Sequence, residues 1–125
     1  MKVQSSFDHF NINVTDLSRS IAFYEEALGL HEADRKEAAD GSFVLVYLTD
    51  GVSPFLLELT WLRDHEGSYE LGENESHLCF RVAGRYDEVR AFHKSMDCVC
   101  FENTAMGLYF IHDPDDYWIE ILPQR

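Results

Sequence analysis

The chain contains an internal echo, and that echo restricts its fold more than any other feature. "HFNINVTDLSRSIAFYEEALGL" begins at His9, and "HLCFRVAGRYDEVRAFHKSMDC" begins at His77, 68 residues later. Both stretches open with a histidine, continue with apolar residues at alternate positions, turn, and enter a helix-period segment. Phe10, Ile12 and Val14 answer to Leu78, Phe80 and Val82, and Ile21, Tyr24 and Leu28 answer to Val89, Phe92 and Met96. The ends echo too: "FLLELT" and "YWIEIL" each set a glutamate, Glu58 and Glu120, between apolar neighbours. Repetition at this scale means one supersecondary unit used twice.

Local patterns give the unit its content. Residues 6–14 alternate and read as a strand. Residues 17–28 carry apolar side chains at helical spacing, with Thr15 or Asp16 as N-cap and Gly29 as the stop. Residues 43–49 and 54–60 are β-rich, with the turn signal "DGVS" between them. Residues 61–75 are polar and read as a loop. The second half reads as strand 77–82, helix 86–96, and strands 98–102, 107–112 and 117–122, with "DPDD" turning before the last. Each half is expected to be β-α-β-β-β, so the fold class is α+β. The 125 residues suit a single domain of two modules, about 5–60 and about 76–123.

Composition narrows the function. The net charge of −13 argues against nucleic acid, whose phosphates need clustered Lys and Arg, and against an anionic membrane surface. No apolar run is long enough for a membrane helix, and "MKVQSSFDHF" lacks the apolar core of an export signal, so a cytoplasmic location is expected. Cys79, Cys98 and Cys100 are expected to be apolar strand filler in a reducing compartment, and "CVC" has the wrong spacing for zinc.

The chemistry-bearing residues are the four that the echo duplicates. A strand puts alternate residues on one face, so His9 keeps company with Asn11 and Asn13, Glu58 with Leu56 and Thr60, His77 with Cys79 and Arg81, and Glu120 with Trp118 and Leu122. A lone strand histidine is usually a hydrogen-bonded core or surface residue, and a lone strand glutamate usually faces solvent. Glu58 and Glu120 resist that reading because apolar residues flank them, and burying an unpaired carboxylate is costly. If the halves pack as pseudo-twofold copies, two imidazoles and two carboxylates converge. That set suits a divalent ion accepting mixed N/O ligands, with positions left for water or substrate oxygens. His31, His65, His93 and His112 have no duplicated partners and are expected in surface or local hydrogen-bonding roles. Arg81 could meet an anionic substrate or make a structural ion pair. Trp118 could line a pocket beside Glu120.

On "DHFNINVTDLSRSIAFYEEALGL", "LLELT", "YELGENESHLCF" and "FIHDPDDYWIEIL", the chain resembles glyoxalase I (lactoylglutathione lyase) of the vicinal oxygen chelate superfamily. The resemblance implies paired βαβββ modules completed by a homodimer. It implies metal ligands at His9, Glu58, His77 and Glu120, the first two from one chain and the last two from the other. The activity it implies converts the hemithioacetal of a 2-oxoaldehyde, such as methylglyoxal, and a thiol to a 2-hydroxyacyl thioester. Glu120 is then the base and Glu58 a ligand and partner in proton transfer. The short chain is similar to the compact Ni²⁺- or Co²⁺-dependent form, with Zn²⁺ the other option. The pattern departs where the resemblance calls for a glutathione site: Asn13 replaces an arginine, Leu62 an asparagine, and loop 102–108 has no lysine. Asp116 stands where the family usually has glycine. Two rival readings follow: another superfamily isomerase or epimerase on a different substrate, and a non-catalytic ligand-sequestering module like bleomycin-resistance proteins.

Overall fold

The computed structural model describes residues 1–125 as two compact units, Met1–Tyr69 and Glu70–Arg125. The first unit contains β1 (His9–Asn13), α1 (Leu17–Leu28), β2 (His31–Glu37), β3 (Phe43–Thr49) and β4 (Leu56–Leu62). The second contains β5 (Leu78–Val82), α2 (Tyr86–Ser95), β6 (Val99–Asn103), β7 (Leu108–His112) and β8 (Trp118–Pro123). Each unit is therefore βαβββ, as the echo implied. The sheets have the same topology, β1-β4-β3-β2 and β5-β8-β7-β6. In both, the first strand pairs in parallel with the last and the remaining pairings are antiparallel.

The sequence sets the boundaries of α1. Asp16 is the N-cap, its carboxylate accepting from the Arg19 N–H at 3.1 Å. Gly29, at φ 69°, ends the helix in the left-handed region, and Leu30 N–H closes onto the Tyr24 carbonyl at 3.1 Å. The helix buries Ser20, Tyr24 and Ala27, with Ile21 and Leu28 only half-buried at the margin. Ile12, Val14, Val46, Leu48, Leu57 and Leu59 complete the core of the first unit. These are the alternate positions that do not share a face with His9 and Glu58.

One strand was unmarked by the sequence pattern, and two expectations need correction. The apolar pattern does not mark β2, because "HEADRKE" is exposed along its whole length. It sits at the sheet edge, held by its backbone ladder to β3, and its side chains carry no burial signal. In α2, the expected stripe of Val89, Phe92 and Met96 is not the buried one. Phe92 is exposed and His93 is buried. The cysteines divide as well: Cys98 is buried filler, but Cys79 and Cys100 are exposed. All three are free thiols. Asp116 has φ 69°, the left-handed turn conformation for which glycine would serve, and Asp tolerates it.

His93 can be buried because the Tyr109 hydroxyl shares a 2.8 Å hydrogen bond with its Nδ1. Burial pushes the Tyr109 hydroxyl well above the ordinary tyrosine value. The folded state thus favours the protonated phenol, and the unfolded chain releases that proton first, near pH ~10. Stability from this group is present below that pH and is lost as pH rises above it. Tyr109→Phe is expected to cost about 1–3 kcal/mol at neutral pH, because His93 Nδ1 loses its hydrogen bond to the phenol. The variant's denaturation midpoint should also fall less steeply than that of wild type above pH ~10. Urea titrations across the alkaline range test both effects, and parallel slopes would remove Tyr109 from the core's pH response.

Candidate metal-binding half-sites

Parallel pairing places each histidine and glutamate together. In the first unit His9 pairs with Leu56 and Asn11 with Glu58. Glu58 thus lies two residues along β4 from the partner of His9, on the same face. In the second unit Cys79 pairs with Glu120, which repeats the relation. The histidines close on the carboxylates to nearly the same extent. His9 Nε2 is 3.8 Å from Glu58 Oε2, and His77 Nε2 is 3.6 Å from Glu120 Oε1.

Those gaps are too long for hydrogen bonds. In each pair the imidazole nitrogen and the carboxylate oxygen thus face one another without bonding directly. His9 is also prepared on its other nitrogen. Asp8 Oδ2 lies 2.6 Å from Nδ1, an outer carboxylate that fixes the tautomer and turns Nε2 towards Glu58. The hydrogen bond to Asp8 raises the His9 pKa, with a further contribution from Glu58. The donor set, imidazole nitrogen plus carboxylate oxygen, fits a borderline divalent ion. Neither unit gathers three or more His, Cys, Asp or Glu side chains suited to an ion, so each presents one imidazole–carboxylate pair and not a full ligand set.

Sequence reasoning missed the aromatic residue that completes each pair. On β3, Tyr47 lies directly across from Glu58. Its ring meets the His9 ring edge-on at 5.7 Å and 88°, and its hydroxyl donates to Glu58. On β7, Phe110 lies across from Glu120, and its ring meets His77 edge-on at 5.0 Å and 84°. The signal was present: each aromatic sits at an alternate position of the strand preceding the glutamate strand.

The two half-sites differ chemically. Glu58 is buried and receives a phenol hydrogen bond. Glu120 is half-buried and faces a phenyl ring, and its hydrogen-bonding neighbour is the Cys79 thiol, pushed up to about 11 by desolvation and by the Glu120 charge. Cys79 is therefore a neutral thiol at physiological pH, a weak donor. Trp118, two residues before Glu120 on β8, joins Phe101 and Phe110 in an aromatic cluster, with centroids 6.4 Å and 5.4 Å away. Asn11 donates to Asn13 at 3.1 Å and accepts from Thr60, giving the first half-site a polar floor.

These features can be compared with known proteins. The family described as the Glyoxalase/Bleomycin resistance protein/Dioxygenase superfamily matches residues 6–121. The chain belongs to that superfamily. A lactoylglutathione lyase of Haemophilus influenzae is 31% identical, the alignment covering 94% of this chain and 91% of that one. A lactoylglutathione lyase of Neisseria meningitidis is 29% identical over 94% and 89%. Among solved structures, the trypanothione-dependent glyoxalase I of Leishmania major superposes with a TM-score of 0.82 at 31% identity, covering 96% of this chain and 87% of that one. The chain is glyoxalase I-like in sequence and in fold.

Hydrogen bonding to Glu58 and its negative charge raise the Tyr47 phenol from 10.0 to about 12. A phenolate beside a carboxylate would place like charges together, so the proton is retained. Glu58→Gln is expected to return Tyr47 towards its ordinary value of about 10. Difference ultraviolet spectra against Tyr47→Phe, taken between pH 10 and 11, should then show about half to four-fifths of an extra phenolate relative to wild type. No change on Glu58→Gln would break the assigned hydrogen bond.

Proposed function

We propose that the chain is a metal-dependent glyoxalase I-like lyase, with His9, Glu58, His77 and Glu120 holding one divalent ion. The observation that carries the reading is the duplicated Nε2–carboxylate pair, 3.8 Å in one unit and 3.6 Å in the other. A complete ligand set needs both kinds of half-site. In a homodimer, His9 and Glu58 of one protomer would meet His77 and Glu120 of its partner. Exposed Phe7, Phe10, Phe92 and Phe101 provide apolar surface that such an assembly can cover. Mixed N/O ligation with open positions favours Ni²⁺ or Co²⁺, with Zn²⁺ the alternative. Three free thiols suit a cytoplasmic setting.

The substrate is the hemithioacetal of a 2-oxoaldehyde and a thiol. When bound, the ion polarises the two adjacent substrate oxygens and lowers the cost of negative charge on them. The Glu120 carboxylate removes the C1 proton, and the electron pair of that C–H bond moves into an enediolate. The proton is returned at C2 while the C1 hydroxyl proton passes to the C2 oxygen, leaving a thioester at C1 and an alcohol at C2. C1 is oxidised and C2 reduced within one molecule, so no external oxidant is required. Glu120 suits the mobile role because a phenyl ring and a weak thiol donor surround it. Glu58 suits the fixed role because Tyr47 holds it.

The thiol is glutathione or a relative of it. Asn13, the exposed Leu62 and the lysine-free loop 102–108 favour a second reading in which the thiol differs, as the trypanothione dependence of the Leishmania major enzyme illustrates. Another epimerisable acid is the wider version of that reading.

The test takes metal-stripped protein, restores Ni²⁺, Co²⁺ or Zn²⁺, and follows thioester absorbance with methylglyoxal and glutathione or trypanothione. Activity is expected with at least one metal. Glu120→Gln should lower kcat by about 10²–10⁴-fold, the usual worth of a general base, while the variant still binds the ion. Stoichiometric metal without turnover of any hemithioacetal would refute the lyase assignment.

A further inference from the structure

The two half-sites follow one plan, but only one of them carries a hydroxyl. Tyr47 and Phe110 hold corresponding places, each directly across from the glutamate of its unit. Both rings meet the histidine edge-on, at 5.7 Å for His9 and 5.0 Å for His77. The rings pack alike, so the difference between them reduces to one oxygen. The Tyr47 hydroxyl donates to Glu58, whereas a phenyl ring has no donor to give Glu120. Tyr47 is itself held in place. Lys36 Nζ lies over its ring, 5.5 Å from the centroid. The His9 ring borders it, and Asp8 secures His9 at 2.6 Å. Asp8, His9, Tyr47 and Glu58 thus form a continuous series of contacts across the face of the first sheet. Burial divides the carboxylates in the same way: Glu58 is buried and Glu120 half-buried.

We infer that Tyr47 is a positioning residue that fixes Glu58 on the ion, so that the first half-site sets how tightly the metal is held. This rests on the metal reading of the four residues and adds which unit governs retention. A glutamate side chain has three rotatable bonds, and their freedom is lost when the carboxylate becomes a ligand. Where a phenol already holds the carboxylate, part of that loss is met during folding and less remains to be met when the ion arrives. A carboxylate has lone pairs enough for both the phenol and an ion. Outer partners of this kind orient a ligand without touching the metal themselves. Glu120 lacks such a tether, since its neighbours are the Phe110 ring and the weak Cys79 donor. One carboxylate is therefore fixed and the other left free to turn.

The experiment reads metal binding and ligand geometry, so it does not depend on turnover. Ni²⁺ affinity is measured by competition with a chromophoric chelator, and Co²⁺-loaded protein supplies a visible ligand-field spectrum. Tyr47→Phe keeps the ring and removes the hydroxyl. It is expected to weaken Ni²⁺ by about tenfold to a hundredfold and to shift the Co²⁺ bands. A hydroxyl that served only the fold would lower the urea midpoint of the metal-free protein and leave both metal readouts alone. In a Glu58→Ala background the same substitution should change Ni²⁺ affinity by less than about twofold, because its effect runs through Glu58. Unchanged affinity in Tyr47→Phe, or an equal loss with and without Glu58, would overturn the inference. The two proposals fail separately. Tyr47-dependent affinity with no hemithioacetal turnover keeps the positioning role and removes the lyase. Turnover by a Tyr47→Phe variant that binds Ni²⁺ as tightly as wild type keeps the lyase and removes the positioning role. A wild type that binds no divalent ion removes both.

Discussion

The parallel pairing of the first and last strands of each βαβββ unit is the constraint on which the site depends. Sheets that run strictly as hairpins would put the first strand beside the second. Here β1 lies beside β4, and β5 beside β8. The register then sets His9 and His77 each two residues from a glutamate on the neighbouring strand. A one-residue slip would turn every side chain of β4 to the opposite face. Glu58 would enter the core, and Leu57 and Leu59 would leave it. The apolar residues that hold the register and the polar residues that make the half-site are therefore two faces of one constraint.

Much of this was legible in the sequence. Alternation at His9–Val14 and Leu78–Val82 and the Asp16 and Gly29 caps identified the unit, and the doubled histidine and glutamate picked out the four side chains that the fold brings together in two pairs. What was missed was missed for physical reasons. β2 carries no apolar periodicity because its side chains face water on an edge, and its strand identity comes from backbone pairing alone. The buried face of α2 was misplaced because His93 looks polar in isolation, and its burial depends on partners distant in sequence such as Tyr109, 16 residues away. Tyr47 and Phe110 passed as ordinary strand aromatics until cross-strand register set each one against a glutamate.

The units share a backbone plan but not a chemistry. Tyr47 gives Glu58 a strong donor, where Phe110 gives Glu120 a ring edge. Asp8 braces His9. Arg81 has its echo in Asn13. Duplication supplies two equivalent positions, and a single hydroxyl or guanidinium is enough to make them unequal. Such differences let symmetric scaffolds divide labour between two carboxylates whose surroundings differ.

The charged edge strand also bears on association. Glu32 and Arg35 form a forked pair on β2, with Arg35 Nη2 2.7 Å from Glu32 Oε1, and Asp34, Lys36 and Glu37 line the remainder of an open backbone ladder. An incoming strand would have to desolvate that row of charges before it gained a hydrogen bond. The first sheet is thus closed to indiscriminate zippering, and any copy that did associate would meet this edge at a penalty that apolar surface elsewhere does not impose.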